Sequence, residues 1–267
     1  MHKPHHLALI ARFPSPGQGK TRLIPRLGLD GACSFARAAL TDLLHLLSRA
    51  PSCHRTLFYT PESARADILQ LLEQESIRSL WDIHPQAQTP DIGGRLHAAL
   101  EHARTVDSGT LLAPTPPTPA ITFIGMDCFE LTTSIVQGSM ARVSTPPRTA
   151  HMLPACDGGY VLLTIPLDCD GRRVFGQIPW SSSRTGCVQV QRLEEAGLSC
   201  VVGEALPDVD EPGDLDMLWE SRQAKWASFP RTMGFLETVM PSERCRDDDW
   251  ERQCTTQPCA TNPAYEG

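Results

Sequence analysis

Four segments of the chain concentrate side chains that could do chemistry. The first, Arg12-Phe13-Pro14-Ser15-Pro16-Gly17-Gln18-Gly19-Lys20-Thr21-Arg22-Leu23, follows the apolar run Leu7 to Ala11 and ends on a Lys-x-Arg pair. The loop carries little side-chain bulk. Backbone amides at Gly17 and Gly19 can approach an anion closely, and Lys20 and Arg22 add positive charge, so the segment reads as a phosphate cradle. A Walker A loop is the obvious rival because Gly19-Lys20-Thr21 matches its end. That motif needs a glycine five residues before Gly19, and Pro14 stands there instead.

The other three segments are acidic. In Ile121-Thr122-Phe123-Ile124-Gly125-Met126-Asp127-Cys128, Asp127 comes just after an apolar run, where a carboxylate can hold Mg²⁺ or Mn²⁺ against a phosphate. A lone Asp at such a place can equally stabilise a turn or cap a helix. Pro154-Ala155-Cys156-Asp157-Gly158-Gly159-Tyr160 reads either as a tight hairpin turn or as a place where glycines clear space beside a ligand that Asp157 faces. In Pro207-Asp208-Val209-Asp210-Glu211-Pro212, helix capping explains Asp210 locally. Asp208 and Asp210, two apart in extended chain, point the same way, and one of them could join Asp127 at a metal.

These segments need a frame that brings them to one rim. Short apolar runs at Leu7–Ala11, Thr56–Tyr59, Ala120–Gly125, Met152–Ala155, Tyr160–Ile165 and Cys200–Val202 read as strands. Stretches with helical periodicity alternate with them: Ala32–Leu47, Glu62–Glu73, Asp91–Ala103, Thr132–Val143, Thr185–Ala196 and Pro212–Ala224. That alternation predicts an α/β fold, a doubly wound and mostly parallel sheet with helices on both faces. In such sheets ligands bind beyond the carboxyl ends of the strands, which is where the four segments fall. Residues 1–225 are expected to form one domain. Val106 to Pro119, rich in Thr and Pro, reads as a surface insertion; residues 226–267 read as a C-terminal extension, disordered from about 241.

Composition excludes several classes. The chain has 267 residues, 41% hydrophobic and 21% charged, which is enough apolar material for a sizeable core. A formal charge of −7 gives no global footprint for nucleic acid. No apolar run approaches the ~20 residues of a membrane span, and no signal-peptide core follows the N-terminus, so a cytoplasmic enzyme is expected. The ten cysteines have no Cys-x2-Cys spacing and read as free thiols. His2, His5 and His6 read as a solvated N-terminal segment. Trp180 could stack on a sugar or base, or anchor a helix entry.

Taken together and in this order, the four motifs resemble the selenodomain-associated (radical-SAM-associated) transferases. These are also called the arsenosugar-biosynthesis glycosyltransferase family, in the nucleotide-diphospho-sugar transferase superfamily. The resemblance runs from about Leu7 to Trp219 and takes in Asp91-Ile92-Gly93-Gly94-Arg95-Leu96 and Phe175-Gly176-Gln177-Ile178-Pro179-Trp180-Ser181. It implies a single-domain GT-A (Rossmann-like) fold. It implies a nucleotide site at Ala11, Arg12, Gly17, Gly19, Lys20, Arg22, Asp91, Gly93 and Arg95, and a divalent metal on Asp127 and Asp210. Asp157, Gly158, Gly159 and Tyr160 would meet the acceptor, and Lys20, Asp127 and Asp157 would carry catalysis. One departure is Phe129, where the family usually has proline. The implied partners are a nucleotide or nucleotide-sugar donor and a small-molecule acceptor. Two chemistries share the scaffold. Glycosyl transfer from an NDP-sugar fits the family resemblance. Nucleotidyl transfer from an NTP fits Lys20 with Arg22 and the single Asp127. A third reading is a non-catalytic nucleotide-binding protein.

Overall fold

The structure is a computed structural model, and it describes residues 5–50, 53–107, 119–143 and 148–240. Residues 108–118 of the expected insertion, and the stretch from 241 for which disorder is expected, lie outside the described residues. In chain order the elements are β1 (His5–Arg12), α1 (Ile24–Ser48), β2 (Cys53–Thr60), α2 (Arg65–Gln74), β3 (Asp82–Pro85), α3 (Ile92–Asp107), β4 (Ala120–Ile124) and α4 (Thr133–Val143). There follow β5 (Thr149–Pro154), β6 (Tyr160–Pro166), α5 (Gly171–Phe175), α6 (Thr185–Glu195), β7 (Ser199–Val202), α7 (Pro212–Glu220), α8 (Arg222–Lys225) and α9 (Pro230–Val239).

The seven strands form one sheet in the order β3-β2-β1-β4-β6-β5-β7. β1 pairs in parallel with both β2 and β4, while β6 runs antiparallel to β4 and β5. The expected mostly parallel α/β sheet is therefore present, with one reversed strand. Leu7, Ala8, Leu9 and Ala11 of β1 are all buried, because helices cover both faces of this central strand. On one face Phe35, Leu43 and Leu47 of α1 pack with residues of α2, α4, α7 and α9. On the other face Leu96 and Leu100 of α3 pack with Phe175 of α5 and Leu193 of α6.

The packed core does not stop at residue 225, where the sequence reading ends the domain. Phe229, Met233 and Leu236 are at most 1% exposed and join the α1 core. Burying each such side chain stabilises the fold by roughly 1.5–3 kcal/mol. The carboxylate of Asp42, inside α1, fixes the start of α9. It accepts hydrogen bonds from Thr232 N at 2.8 Å, Thr232 Oγ1 at 2.9 Å and Arg231 N at 3.2 Å. Phe129 has a structural reason as well, since its ring meets Phe35 of α1 and Phe229 before α9. No disulfide joins the seven cysteines among the described residues, and no described helix is long and apolar enough to cross a membrane.

Candidate active site

The loop after β1 is tied to the sheet at its start, where Phe13 N donates to Thr60 O at 2.7 Å. It then turns on itself, with Gln18 N bonded to Ser15 O at 2.9 Å. Gly19 has φ +76°, a left-handed conformation that favours glycine, and the Arg12 side chain lies alongside it. Lys20 follows in the left-handed region at φ 47°, ψ 32°. That conformation costs a residue with a Cβ roughly 1–2 kcal/mol. Strain of this kind persists where other contacts over-determine it, and Lys20 has such contacts.

The Lys20 side chain is only 7% exposed and its ammonium lies between two carboxylates. It pairs with Asp127 and stands 2.7 Å from Asp210 Oδ1, and it also donates to Val209 O. Burial alone would lower its pKa, but the charges of Asp127 and Asp210 outweigh that and raise it, so the ammonium stays charged. Asp127 follows β4 directly. The backbone couples the two acidic segments, because Val209 N donates to Asp127 O at 2.9 Å.

Capping is the local sequence explanation for Asp210, and here another residue does that work. The carboxylate of Asp214 accepts from Asp210 N at 2.8 Å and Glu211 N at 2.7 Å, completing a capping box with Glu211 at the start of α7. The Asp210 carboxylate is left to meet Lys20.

Beside this ion cluster opens a cavity of about 380 Å³. Asp127, Asp157, Asp208 and Asp210 line its acidic side; Ile92, Leu96, Phe123, Tyr160 and Trp180 line its apolar side. In the sequence Asp208 stands only as an alternative to Asp210. Burial, then the charges of Asp157, Asp210 and Asp127, push its carboxyl up to about 6. Cys128 also lines the cavity, but burial pushes its thiol up to about 12, which makes it a poor nucleophile.

The sequence-derived site residues divide into those brought together and those kept apart. Lys20, Asp127 and Asp210 meet, and Asp157 faces the same cavity, with its Oδ1 accepting from Gly159 N at 2.8 Å. The Tyr160 ring lines the cavity, yet its hydroxyl donates to Gln189 Oε1 at 3.2 Å, and burial raises its pKa. Gly158, at φ +91°, clears no space for a ligand. A Cβ there would sit 2.2 Å from Ser183 O, so its lack of a side chain admits the backbone that leads into α6.

None of the residues assigned to the nucleotide by resemblance lines the cavity. Ala11 is buried in β1, and Arg12 reaches Gln18 at 3.4 Å. Gly17 turns above Leu29, and Arg22 stands 3.8 Å from Glu211. Asp91 caps α3 by accepting from Gly94 N at 2.8 Å. Gly93 packs under Trp180, and Arg95 is half-buried in the first turn of α3. Ile92 lines the cavity from within the Asp91–Arg95 segment that the resemblance sets near the nucleobase, whereas no role for Leu96 or Phe123 is legible in the sequence because their pattern is that of ordinary core positions.

No group of three or more His, Cys, Asp or Glu side chains among the described residues stands ready to hold a metal ion. The donor chemistry nonetheless suits a hard divalent cation. Asp127 and Asp210 offer carboxylate oxygens that converge on one positive centre, at present the Lys20 ammonium.

A family model described as "Uncharacterized protein conserved in bacteria (DUF2064)" matches residues 43–182. The chain belongs to this family. The DUF2064 match begins within α1 and ends in the turn that carries Trp180. It therefore includes Asp127 and Asp157 and leaves Lys20, Asp208 and Asp210 outside it. No curated protein matches the chain. Among solved structures, the chain is similar to a candidate nucleotide-diphospho-sugar transferase from Desulfovibrio desulfuricans G20. The two are 25% identical with a TM-score of 0.72, covering 95% of this chain and 98% of that one. A CMP:2-keto-3-deoxy-manno-octonic acid synthetase complexed with CTP follows at 12% identity and TM-score 0.46, covering 82% and 98%. A mannosyltransferase from Pyrobaculum calidifontis, in complex with GDP-Man and Mn²⁺, stands at 7% and 0.46, covering 95% and 80%.

Proposed function

We propose that this protein is a transferase using a nucleotide-activated donor, and that it moves a glycosyl group from an NDP-sugar to a hydroxyl of a small-molecule acceptor. The observation that carries this reading is the buried Lys20 ammonium clasped by Asp127 and Asp210 at the carboxyl ends of the strands, beside a cavity large enough for a small ligand. The name and whole-chain likeness of the Desulfovibrio desulfuricans structure support a nucleotide-diphospho-sugar donor. The resemblance to the selenodomain-associated transferases supports the sugar as the group transferred.

In this reading the loop from Arg12 to Arg22 meets the donor's diphosphate, with Lys20 and Arg22 opposing the charge that grows on it as it leaves. Asp127 and Asp210 would hold Mg²⁺ or Mn²⁺, which when bound supplies further neutralisation of phosphate oxygens. Asp157 takes the proton of the attacking hydroxyl. The hydroxyl oxygen forms the new bond to the anomeric carbon as the bond from that carbon to the diphosphate oxygen breaks. Its electron pair departs with the nucleoside diphosphate.

Lys20 with Arg22 also suits a triphosphate, which keeps nucleotidyl transfer as the second reading. Thermal-shift titration with NTPs and with NDP-sugars, each with and without Mg²⁺, separates the two, because stabilisation follows occupancy. Selective stabilisation by NTPs would overturn the glycosyl reading. Nucleotide binding that Asp127→Asn leaves unchanged in Mg²⁺, with no turnover in either protein, would favour a non-catalytic role.

A further inference from the structure

The walls of the cavity narrow the second substrate. We propose that the acceptor is a hydroxyl compound without phosphate or carboxylate groups, and that its flat or apolar face lies against Trp180. This rests on the transferase reading above and names the acceptor's class.

Charge is the first observation. Four carboxylates, those of Asp127, Asp157, Asp208 and Asp210, line the cavity, and among the described residues no lysine or arginine lines it. The nearest ammonium, Lys20, is already shared by Asp127 and Asp210. Arg22 lies beside Glu211, and Arg12 beside Gln18. Even with a divalent cation held on Asp127 and Asp210 for the donor, a phosphorylated acceptor would meet Asp157 and Asp208 with no described lysine or arginine lining the cavity to oppose them. Like charges at close range discriminate against such a ligand.

The apolar lining is the second observation. Trp180 is held from several sides before any ligand arrives. A Cβ on Gly93 would lie 2.9 Å from Trp180 Nε1 and 3.0 Å from Cζ2, so the indole rests directly on the α3 backbone. The Tyr160 ring stands edge-on to it at 6.5 Å. The turn beneath is stapled by the Thr185 hydroxyl, which lies 2.8 Å from Pro179 O and 2.7 Å from Ser182 O. The rest of the half-buried indole faces the cavity beside Ile92 and Leu96. An aromatic surface fixed in advance binds a flat or apolar face without paying to order itself. Hydroxyls on the ligand's far side would then face Asp157.

The test uses the full-length protein in Mg²⁺ and three probes: phenyl β-D-glucoside, its 6-phosphate and methyl β-D-glucoside, with UDP and GDP titrated separately. Saturation-transfer NMR should show phenyl glucoside binding at least tenfold more tightly than its 6-phosphate and at least fivefold more tightly than the methyl glucoside. Trp180→Ala and the volume-keeping Trp180→Leu should each weaken phenyl glucoside at least tenfold and leave nucleoside diphosphate affinity unchanged. Joint Asp157→Asn and Asp208→Asn substitution should narrow the gap between the phenyl glucoside and its phosphate. Equal or tighter binding of the phosphate, absence of glucoside binding, or indifference to Trp180 would each overturn the proposal. Loss of nucleoside diphosphate affinity in the Trp180 variants would also overturn it, by assigning the indole to the donor. Failure of UDP and GDP to bind the unsubstituted protein, with the glucoside pattern intact, would instead count against the transferase reading.

Discussion

Lys20 Nζ lies 2.7 Å from Asp210 Oδ1, joining the loop that follows β1 to the segment that enters α7. Asp127 receives the same ammonium from β4, the strand next to β1. One cation thus closes a ring of three segments that come from distant parts of the chain. In the proposed reading, the charge that holds the two carboxylates together would meet the donor's phosphate.

Replacing that cation should be felt in two ways. Lys20→Ala should lower donor-dependent turnover by about 10²–10³, the usual loss when one transition-state donor is removed. It should also make the free protein more responsive to Mg²⁺, because Asp127 and Asp210 lose their resident partner. Melting temperatures in EDTA and in Mg²⁺ check this; equal Mg²⁺ shifts in both proteins would show that Lys20 does not compete for the site.

Asp157→Ala should depress turnover about 10²–10⁴-fold, the range for loss of a general base, while donor affinity stays within about twofold. Steady-state kinetics beside calorimetric donor titration separates the two effects. Weakened donor binding would reassign Asp157 to the nucleotide.

The Asp208 carboxyl is raised to about 6, against roughly 3.9 in an unfolded chain. The folded state therefore holds this proton more tightly. Its stabilising contribution is complete below about pH 4 and lost as pH rises through 6. In EDTA, Asp208→Asn should match the parent near pH 4 and exceed it above pH 6.5, by about 1 kcal/mol once solvent screening is allowed for. Parallel melting curves across that range would contradict the assigned crowding.

Asp42→Ala should cost about 2–4 kcal/mol, since it removes the acceptor for Thr232 N, Thr232 Oγ1 and Arg231 N where α9 begins. Hydrogen exchange should report loss of protection in α9 ahead of the sheet. Unchanged α9 protection would mean that Phe229, Met233 and Leu236 dock the helix unaided.

Gly158→Ala should destabilise by about 2–4 kcal/mol, because it sets a Cβ 2.2 Å from Ser183 O at φ +91°. Urea melts measure the loss. Substitution without cost would show that the backbone before α6 can move away.

Much of the fold is legible in the sequence because its signals are local. Apolar runs such as Leu7–Ala11 and Ala120–Ile124 follow from burial on both faces of a parallel strand, and helical periodicity marks α1, α3 and α6. The elements that escape notice have weak signals of their own. Asp82–Pro85 is an edge strand with an exposed first residue, α5 is five residues long, and α9 is apolar only toward α1.

The same division holds at the site. The sequence by itself determined which candidate side chains leave the strands' carboxyl ends: Lys20 after β1, Asp127 after β4, Asp157 after β5. Only the tertiary structure decided which of them meet. Asp214 relieves Asp210 of capping, Gly158 serves a backbone contact, and Trp180 comes to rest on Gly93. Spacing along the chain carries no record of these pairings, since each depends on strand order and on backbone segments brought within a few ångströms by packing.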